Sequence, residues 1–314
     1  MKATRPLATL LAVGTVLLAA ACGSDDGSTS SSGIEGGDKG KVSISGQNFP
    51  EATLVASMYE QLLDAQGYDA STTLVDTRDV YMADGQFPGS IQVVPEYVGG
   101  IVDYLNAKAN GPDAASLTTN DPAASLSAAQ SLFDDAGITM LDPSAATDQN
   151  AFFVTQDYAD ANNASTLSDL SGKSVVLAAA PDCAGRADCE KGLTDVYGIT
   201  ITKILPLGFA SDQTYQSVLK DESQLGLTST TDGTLADQGL VLLADDQGIQ
   251  PAQNLVPAVD TSWAQDNPDA VDALNKLMAA LDTEKLTELN GRVSVDREDP
   301  ATVAKDFLTE AGLI

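Results

Sequence analysis

From Lys41 onward, short runs of aliphatic and β-branched residues alternate with stretches whose apolar residues recur at helical spacing, and this alternation restricts the chain to an α/β fold. Strand-like runs stand at Val42–Ile44, Thr72–Val75, Ile91–Val94 and Ile138–Leu141, and a second set begins at Ala151–Val154 and continues at Ser174–Ala178, Ile201–Leu205, Leu225–Leu227 and Leu240–Leu243. A last run, Leu255–Val259, precedes a helical tail. Between them Leu54, Val55, Met58, Leu62 and Leu63 share one helical face that closes at Gly67, and Val271, Leu274, Leu277, Met278 and Leu281 share another. Further helices are predicted after Gly99-Gly100, over Pro122–Ala136, Gly192–Tyr197 and Thr214–Lys220, and from Pro300 to Ala311. The pattern predicts mostly parallel sheets in two units of about a hundred residues, with a ligand cleft where strand ends and helix N-termini of the two units meet.

The N-terminus is an address. Lys2 and Arg5 precede an apolar run from Leu7 to Ala21, too short at about fifteen residues to span a bilayer, which takes ~20. Ala19-Ala20-Ala21-Cys22 resembles a bacterial lipobox, so residues 1–22 are expected to be a lipoprotein signal peptide and Cys22 the lipidated residue. Residues 23–40 (GSDDGSTSSSGIEGGDKG) have almost no apolar side chain and are expected to act as a flexible tether. The expected location is therefore the outer face of the bacterial cytoplasmic membrane, with the protein held by its lipid and monomeric.

Composition removes whole classes of chemistry. The 314-residue chain has no histidine, which excludes Ser-His-Asp and Cys-His nucleophile systems and histidine-containing zinc sites. Its 45 acidic against 16 basic residues, a net charge of −29, argues against a nucleic-acid backbone as partner. Export places Cys183 and Cys189 in an oxidising compartment, and their spacing within a turn-rich segment predicts a local disulfide. A metal pair there lacks any His, and the one further cysteine, Cys22, is the expected lipidation site, so nothing completes a coordination sphere. Asp245-Asp246 reads as a turn, since the spacing of a calcium loop is absent. The chain has no phosphate-binding G-x4-G-K-[ST] loop, and no metal or cofactor is expected.

Particular blocks then carry a resemblance. Gln47-Asn48-Phe49-Pro50-Glu51, Thr77-Arg78-Asp79-Val80-Tyr81, Pro95-Glu96-Tyr97-Val98-Gly99, Asp148-Gln149-Asn150-Ala151-Phe152, Pro181-Asp182-Cys183, Thr230-Thr231-Asp232, Ala244-Asp245-Asp246 and Pro251-Ala252-Gln253-Asn254 succeed one another in a specific order and spacing. Together they resemble the substrate-binding lipoproteins of ABC importers for osmoprotectants such as glycine betaine, choline and carnitine. The resemblance implies a type II periplasmic-binding-protein fold: lobe I over residues 41–147, lobe II over 148–254, and a return to lobe I over 255–314, with two crossovers near Asp148 and Gln253. It also implies a small-molecule solute in the interlobe cleft and a membrane permease that receives it.

A quaternary ammonium donates no hydrogen bond, so its receptor must surround it with aromatic faces, each contact contributing roughly 0.5–2 kcal/mol when desolvated. By resemblance Tyr97, Phe152 and Tyr215 are cage candidates, with Phe153 an alternative to Phe152. Asn48, Thr77, Arg78 and Thr231 are candidate polar contacts, Arg78 either pairing with a ligand carboxylate or forming a salt bridge. Ser229 stands where relatives carry Tyr or Phe, and Ala52 where many carry Gln, so one cage wall is missing. Glu51 and Asp232 read as helix caps before cation partners, and Trp263 as packing in lobe I. Rival readings are the same receptor role for another polar or aromatic solute, an interaction lipoprotein, and a carboxylate-pair glycosidase, for which no motif isolates two acids.

Overall fold

The computed structural model describes residues 39–314. The expected signal peptide, with Cys22, and nearly all of the expected tether lie outside the described residues. Lys39 and Gly40, at the tether's end, are already tied to the first lobe: the Lys39 N–H donates to the Gly67 carbonyl at 3.1 Å and its ammonium pairs with Asp269. Among the described residues no helix is long and apolar enough to cross a membrane.

All ten strand-like runs form strands, in two five-stranded sheets. The first sheet contains β1 (Lys41–Gln47), β2 (Asp69–Val75), β3 (Val93–Tyr97), β4 (Ile138–Met140) and β10 (Leu255–Asp260), in the order β2-β1-β3-β10-β4. The second contains β5 (Asn150–Thr155), β6 (Ser174–Ala179), β7 (Thr200–Pro206), β8 (Leu225–Ser229) and β9 (Leu240–Leu243), in the order β7-β6-β8-β5-β9. The expectation of mostly parallel sheets needs correction. β1 is parallel to β2 and β3, and β6 to β7 and β8, but β10 and β5 each run antiparallel to both of their neighbours. These two strands directly follow the passages between lobes, so they enter their sheets from the opposite end. The passages lie side by side, joined by a bridge between Thr147 and Asn254 and by the Asp148 N–H donating to the Gln253 carbonyl at 3.1 Å.

The strand faces bury as their alternation predicts. Val42 and Ile44 meet Leu54, Met58 and Leu62 of the helix Pro50–Ala65, and the C-terminal helices Pro268–Ala279 and Pro300–Glu310 close the same core through Leu274, Leu277, Val303 and Phe307. Trp263 packs against this core and against Tyr68, as expected for a lobe I residue. Several elements are shifted from their predicted bounds: the strand expected at Ile91–Val94 runs Val93–Tyr97, the helix expected over Gly192–Tyr197 runs Glu190–Asp195, and the one over Thr214–Lys220 runs Asp212–Leu219. Residues 122–136 form two helices, Pro122–Ala128 and Gln130–Ala136, meeting at Ala129. The helix expected after Gly99-Gly100 starts at Val98 and includes both glycines; a Cβ on Gly99 would lie 2.8 Å from the Ala252 carbonyl oxygen and one on Gly100 2.6 Å from an Arg78 nitrogen. These glycines serve close approach rather than a turn. Cys183 and Cys189 are disulfide-bonded and fully buried in the second lobe.

Candidate functional site

The site is built from segments that leave the ends of the strands. β1 ends at Gln47, and Phe49, in extended conformation, turns the chain into the helix Pro50–Ala65 with Pro at its first position and Glu51 in its first turn, where a carboxylate complements the helix dipole. β8 ends at Ser229 and runs into Thr230-Thr231-Asp232-Gly233-Thr234. The loop before the helix Asp212–Leu219 presents Phe209, which is 46% exposed. Asp148 comes from the first passage between lobes, and Asn290 from the buried face of the helix Thr283–Ser294.

These segments enclose a cavity of about 400 Å³ whose walls include Phe49, Glu51, Asp148, Phe209, Tyr215 and Asn290, with residues of both lobes. A cavity of similar volume, about 410 Å³, is walled by Met82, Phe87, Leu105 and Leu132 of the first lobe alone and bears no relation to the strand ends. We take the interlobe cavity as the site because both sheets and the returning helix contribute to it.

Its carboxylates are already paired with donors of the site itself. Glu51, 6% exposed, accepts the Tyr97 hydroxyl at 2.6 Å and the Asn290 amide at 2.5 Å. It therefore does not cap its helix through its side chain, and the capping reading gives way to a buried carboxylate held by two donors. Asp148 accepts the Thr231 hydroxyl at 3.1 Å, and Asp232 accepts the Tyr215 hydroxyl at 2.7 Å, the Thr228 hydroxyl at 2.5 Å and the Thr234 N–H and hydroxyl at 2.9 and 2.6 Å. Asn290 also donates to the Thr231 carbonyl at 3.1 Å, joining the two lobes, while its own side-chain oxygen is buried without a partner. Burial, then the charge of Glu51, raise the Asp148 carboxyl to about 7, against the hydrogen bonds of Thr231 and Ser229. Burial and the same Glu51 charge hold the Tyr97 hydroxyl well above its ordinary range, so it remains a donor.

Of the residues predicted from sequence, Tyr215 and Thr231 line the cavity. Tyr97 stands one layer behind, its ring stacked on Phe49 with centroids 6.2 Å apart and its hydroxyl on Glu51. Phe152 and Phe153 point to opposite faces of β5 and both are fully buried: Phe152 enters the core with Leu177, Leu225 and Leu227, and Phe153 backs Tyr215 at 5.4 Å. Phe152 is thus a core residue, because its side of the sheet is covered by the lobe's own helices. Arg78 is committed within lobe I, with Nε and an Nη on the two Glu96 oxygens at 2.8 and 2.9 Å and Tyr81 donating to the same carboxylate. Of its two readings the salt bridge is the one formed. Asn48 and Thr77 are not among the residues of the cavity wall. Phe209, Asp148 and Asn290 were not singled out as contacts. The signal for Asn290 is its place beside Leu286 and Leu289 on a buried helical face, where an amide is out of pattern.

Known proteins agree with this architecture. A "Glycine-betaine-binding protein" of Pseudomonas aeruginosa is 26% identical over 285 residues, covering 86% of this chain and 88% of its own length. The "Glycine betaine-binding protein YehZ" of Escherichia coli is 25% identical over 281 residues, covering 86% of this chain and 90% of its own. The apo structure of the latter superposes with a TM-score of 0.72 over 87% of this chain and 99% of that one, at 24% identity, a likeness of fold. The model of the family described as "Substrate binding domain of ABC-type glycine betaine transport system" matches residues 40–310, and the chain belongs to that family.

Proposed function

We propose that the protein is the extracytoplasmic solute receptor of an ABC importer, capturing a small quaternary-ammonium osmoprotectant of the glycine betaine, choline and carnitine class between its lobes and presenting it to a membrane permease. The observation that carries this reading is the interlobe cavity, where the aromatic rings of Phe49, Phe209 and Tyr215 stand among carboxylates. Rings and carboxylates together suit a diffuse positive charge that can donate no hydrogen bond. Phe209, from the loop before the Asp212–Leu219 helix, supplies an aromatic face to a wall where Ser229 offers none. Tyr97 holds Glu51 and Phe49 in place, and Thr231 orients Asp148.

Capture works by lobe closure. Motion about the paired passages at Thr147–Asp148 and Gln253–Asn254 brings the two walls onto the solute, and the closed outline is what the permease reads. Lipidation of Cys22 and the tether beyond it keep the monomeric receptor at the membrane surface. The receptor binds and releases its solute without chemistry.

Calorimetric titration with glycine betaine, choline, carnitine and proline tests the proposal. At least one quaternary ammonium should bind with 1:1 stoichiometry, and at a hundredfold excess over Kd stabilise the fold by about 2.7 kcal/mol. Phe209→Ala should weaken that binding roughly tenfold, the loss of one desolvated cation–π contact, with little change in stability because the ring is half exposed. Binding of proline with no response to any quaternary amine would refute the solute class.

A further inference from the structure

The polar inventory of the interlobe cavity is lopsided. Three carboxylates, Glu51, Asp148 and Asp232, line it, and no lysine or arginine does among the described residues. The hydroxyl and amide protons that a ligand carboxylate would need are already directed at these acids: Tyr97 and Asn290 serve Glu51, Thr231 serves Asp148, and Tyr215 and Thr234 serve Asp232. Arg78, the guanidinium that sequence offered for a ligand carboxylate, is forked onto Glu96. What the cavity has in surplus is acceptors. An independent sign is the Asn290 side chain, more than nine-tenths buried in the cavity wall, whose oxygen has no partner. Its orientation is dictated, since turning the amide over would put that oxygen against Glu51.

We propose that this cavity selects solutes that carry a net positive charge and a hydrogen-bond donor, choline being the simplest, over zwitterions such as glycine betaine whose carboxylate would enter the same space, and that the charge on Asp148 sets the preference. The inference rests on the reading of the chain as a quaternary-ammonium receptor. Glycine betaine has no donor and brings a fourth carboxylate among three. Choline brings a hydroxyl proton to a wall rich in acceptors and no negative charge. Carnitine has the hydroxyl but also the carboxylate, and separates the two requirements.

The preference depends on pH. The titratable groups facing Asp148 are Glu51 from the helix Pro50–Ala65 and Tyr97 from the end of β3; the loop after β8 contributes the non-titrating hydroxyls of Ser229 and Thr231. The chain has no histidine, so no side chain with an ordinary pKa near neutrality competes with Asp148. A bound cation favours the ionised carboxyl, so cation binding strengthens as pH rises through about 7 and releases a proton. A bound carboxylate favours the protonated form, which also turns Asp148 into a donor, so zwitterion binding changes in the opposite direction.

Titration calorimetry of the purified protein with choline, glycine betaine and carnitine at pH 5.5 and 8.5 tests this. At pH 8.5 choline should bind at least about tenfold more tightly than either zwitterion, and the ratio should fall roughly tenfold at pH 5.5. Asp148→Asn, neutral at every pH, should weaken choline, hold glycine betaine at its pH 5.5 affinity throughout and abolish the pH dependence of the ratio; should this variant not fold, the wild-type pH series alone decides. Glycine betaine binding as tightly as choline at pH 8.5, a ratio unmoved by pH, or a wild-type pH response in Asp148→Asn overturns the proposal and leaves the receptor reading standing. No binding of any of the three at either pH overturns both.

Discussion

Arg78 illustrates how a residue's role is settled by its partners. In sequence it sits in a block that resembles a ligand-contacting segment, and its planar fork suits a carboxylate. In the structure that carboxylate is Glu96, 1% exposed at its side chain, with Tyr81 as a further donor. Replacing Arg78 by Ala would strand a buried charge, a change that costs about 3–5 kcal/mol. The expected result is a large loss of stability in urea unfolding, with solute affinity of the remaining folded fraction nearly unchanged. A variant of wild-type stability that had lost solute binding would instead return Arg78 to the ligand. Tyr97 and Glu51 make the same point in the other direction: neither capping nor direct caging describes them, but a hydroxyl and a carboxylate that orient each other at the cavity wall.

At the level of elements, the strands were legible because their signal is local. Alternating or continuous aliphatic runs bounded by turn residues require no knowledge of the partner strand, and each of the ten predicted runs is a strand. Strand direction was not legible, since β5 and β10 are antiparallel to their neighbours only because of where the chain comes from. β5 also shows how one element supports the site. Phe153 stands opposite Gly226 in the antiparallel pair, and a Cβ on Gly226 would lie 2.3 Å from the Phe153 ring, which in turn backs Tyr215. Gly226→Ala should push the ring toward Tyr215, lowering stability by ~1–3 kcal/mol through overpacking and weakening solute binding together. Thermal unfolding and titration of the same variant check whether the two effects are coupled.

On the scale of the whole molecule, the loop after β8 approaches the helix Thr283–Ser294 backbone to backbone. A Cβ on Gly233 would meet the Gly291 nitrogen at 2.5 Å and the Thr287 carbonyl oxygen at 2.7 Å, and the Thr287 hydroxyl donates to the Thr230 carbonyl at 3.3 Å. The approach joins the lobes beside the cavity. Gly233→Val should hold them apart, which predicts a larger radius of gyration in small-angle scattering and solute binding weakened roughly tenfold or more, since closure no longer completes the wall. Far-ultraviolet circular dichroism should be unchanged, because each lobe keeps its own core. An unaltered scattering profile with full affinity would show that this contact does not govern closure.

The amino-acid sequence by itself determined the α/β class, the positions of the strands, the pairing of Cys183 with Cys189 and, through the order of its motifs, the family. Each of these rests on spacing along the chain or on residue chemistry. Only the tertiary structure decided which polar groups cancel one another. Glu51, Asp148 and Asn290 are far apart in sequence and meet where two passages and a returning helix converge, so the charge of the cavity is a property of the fold. A cation-binding charge balance cannot be read from a chain that is acidic almost everywhere, because most of its carboxylates face water, where screening makes them interchangeable.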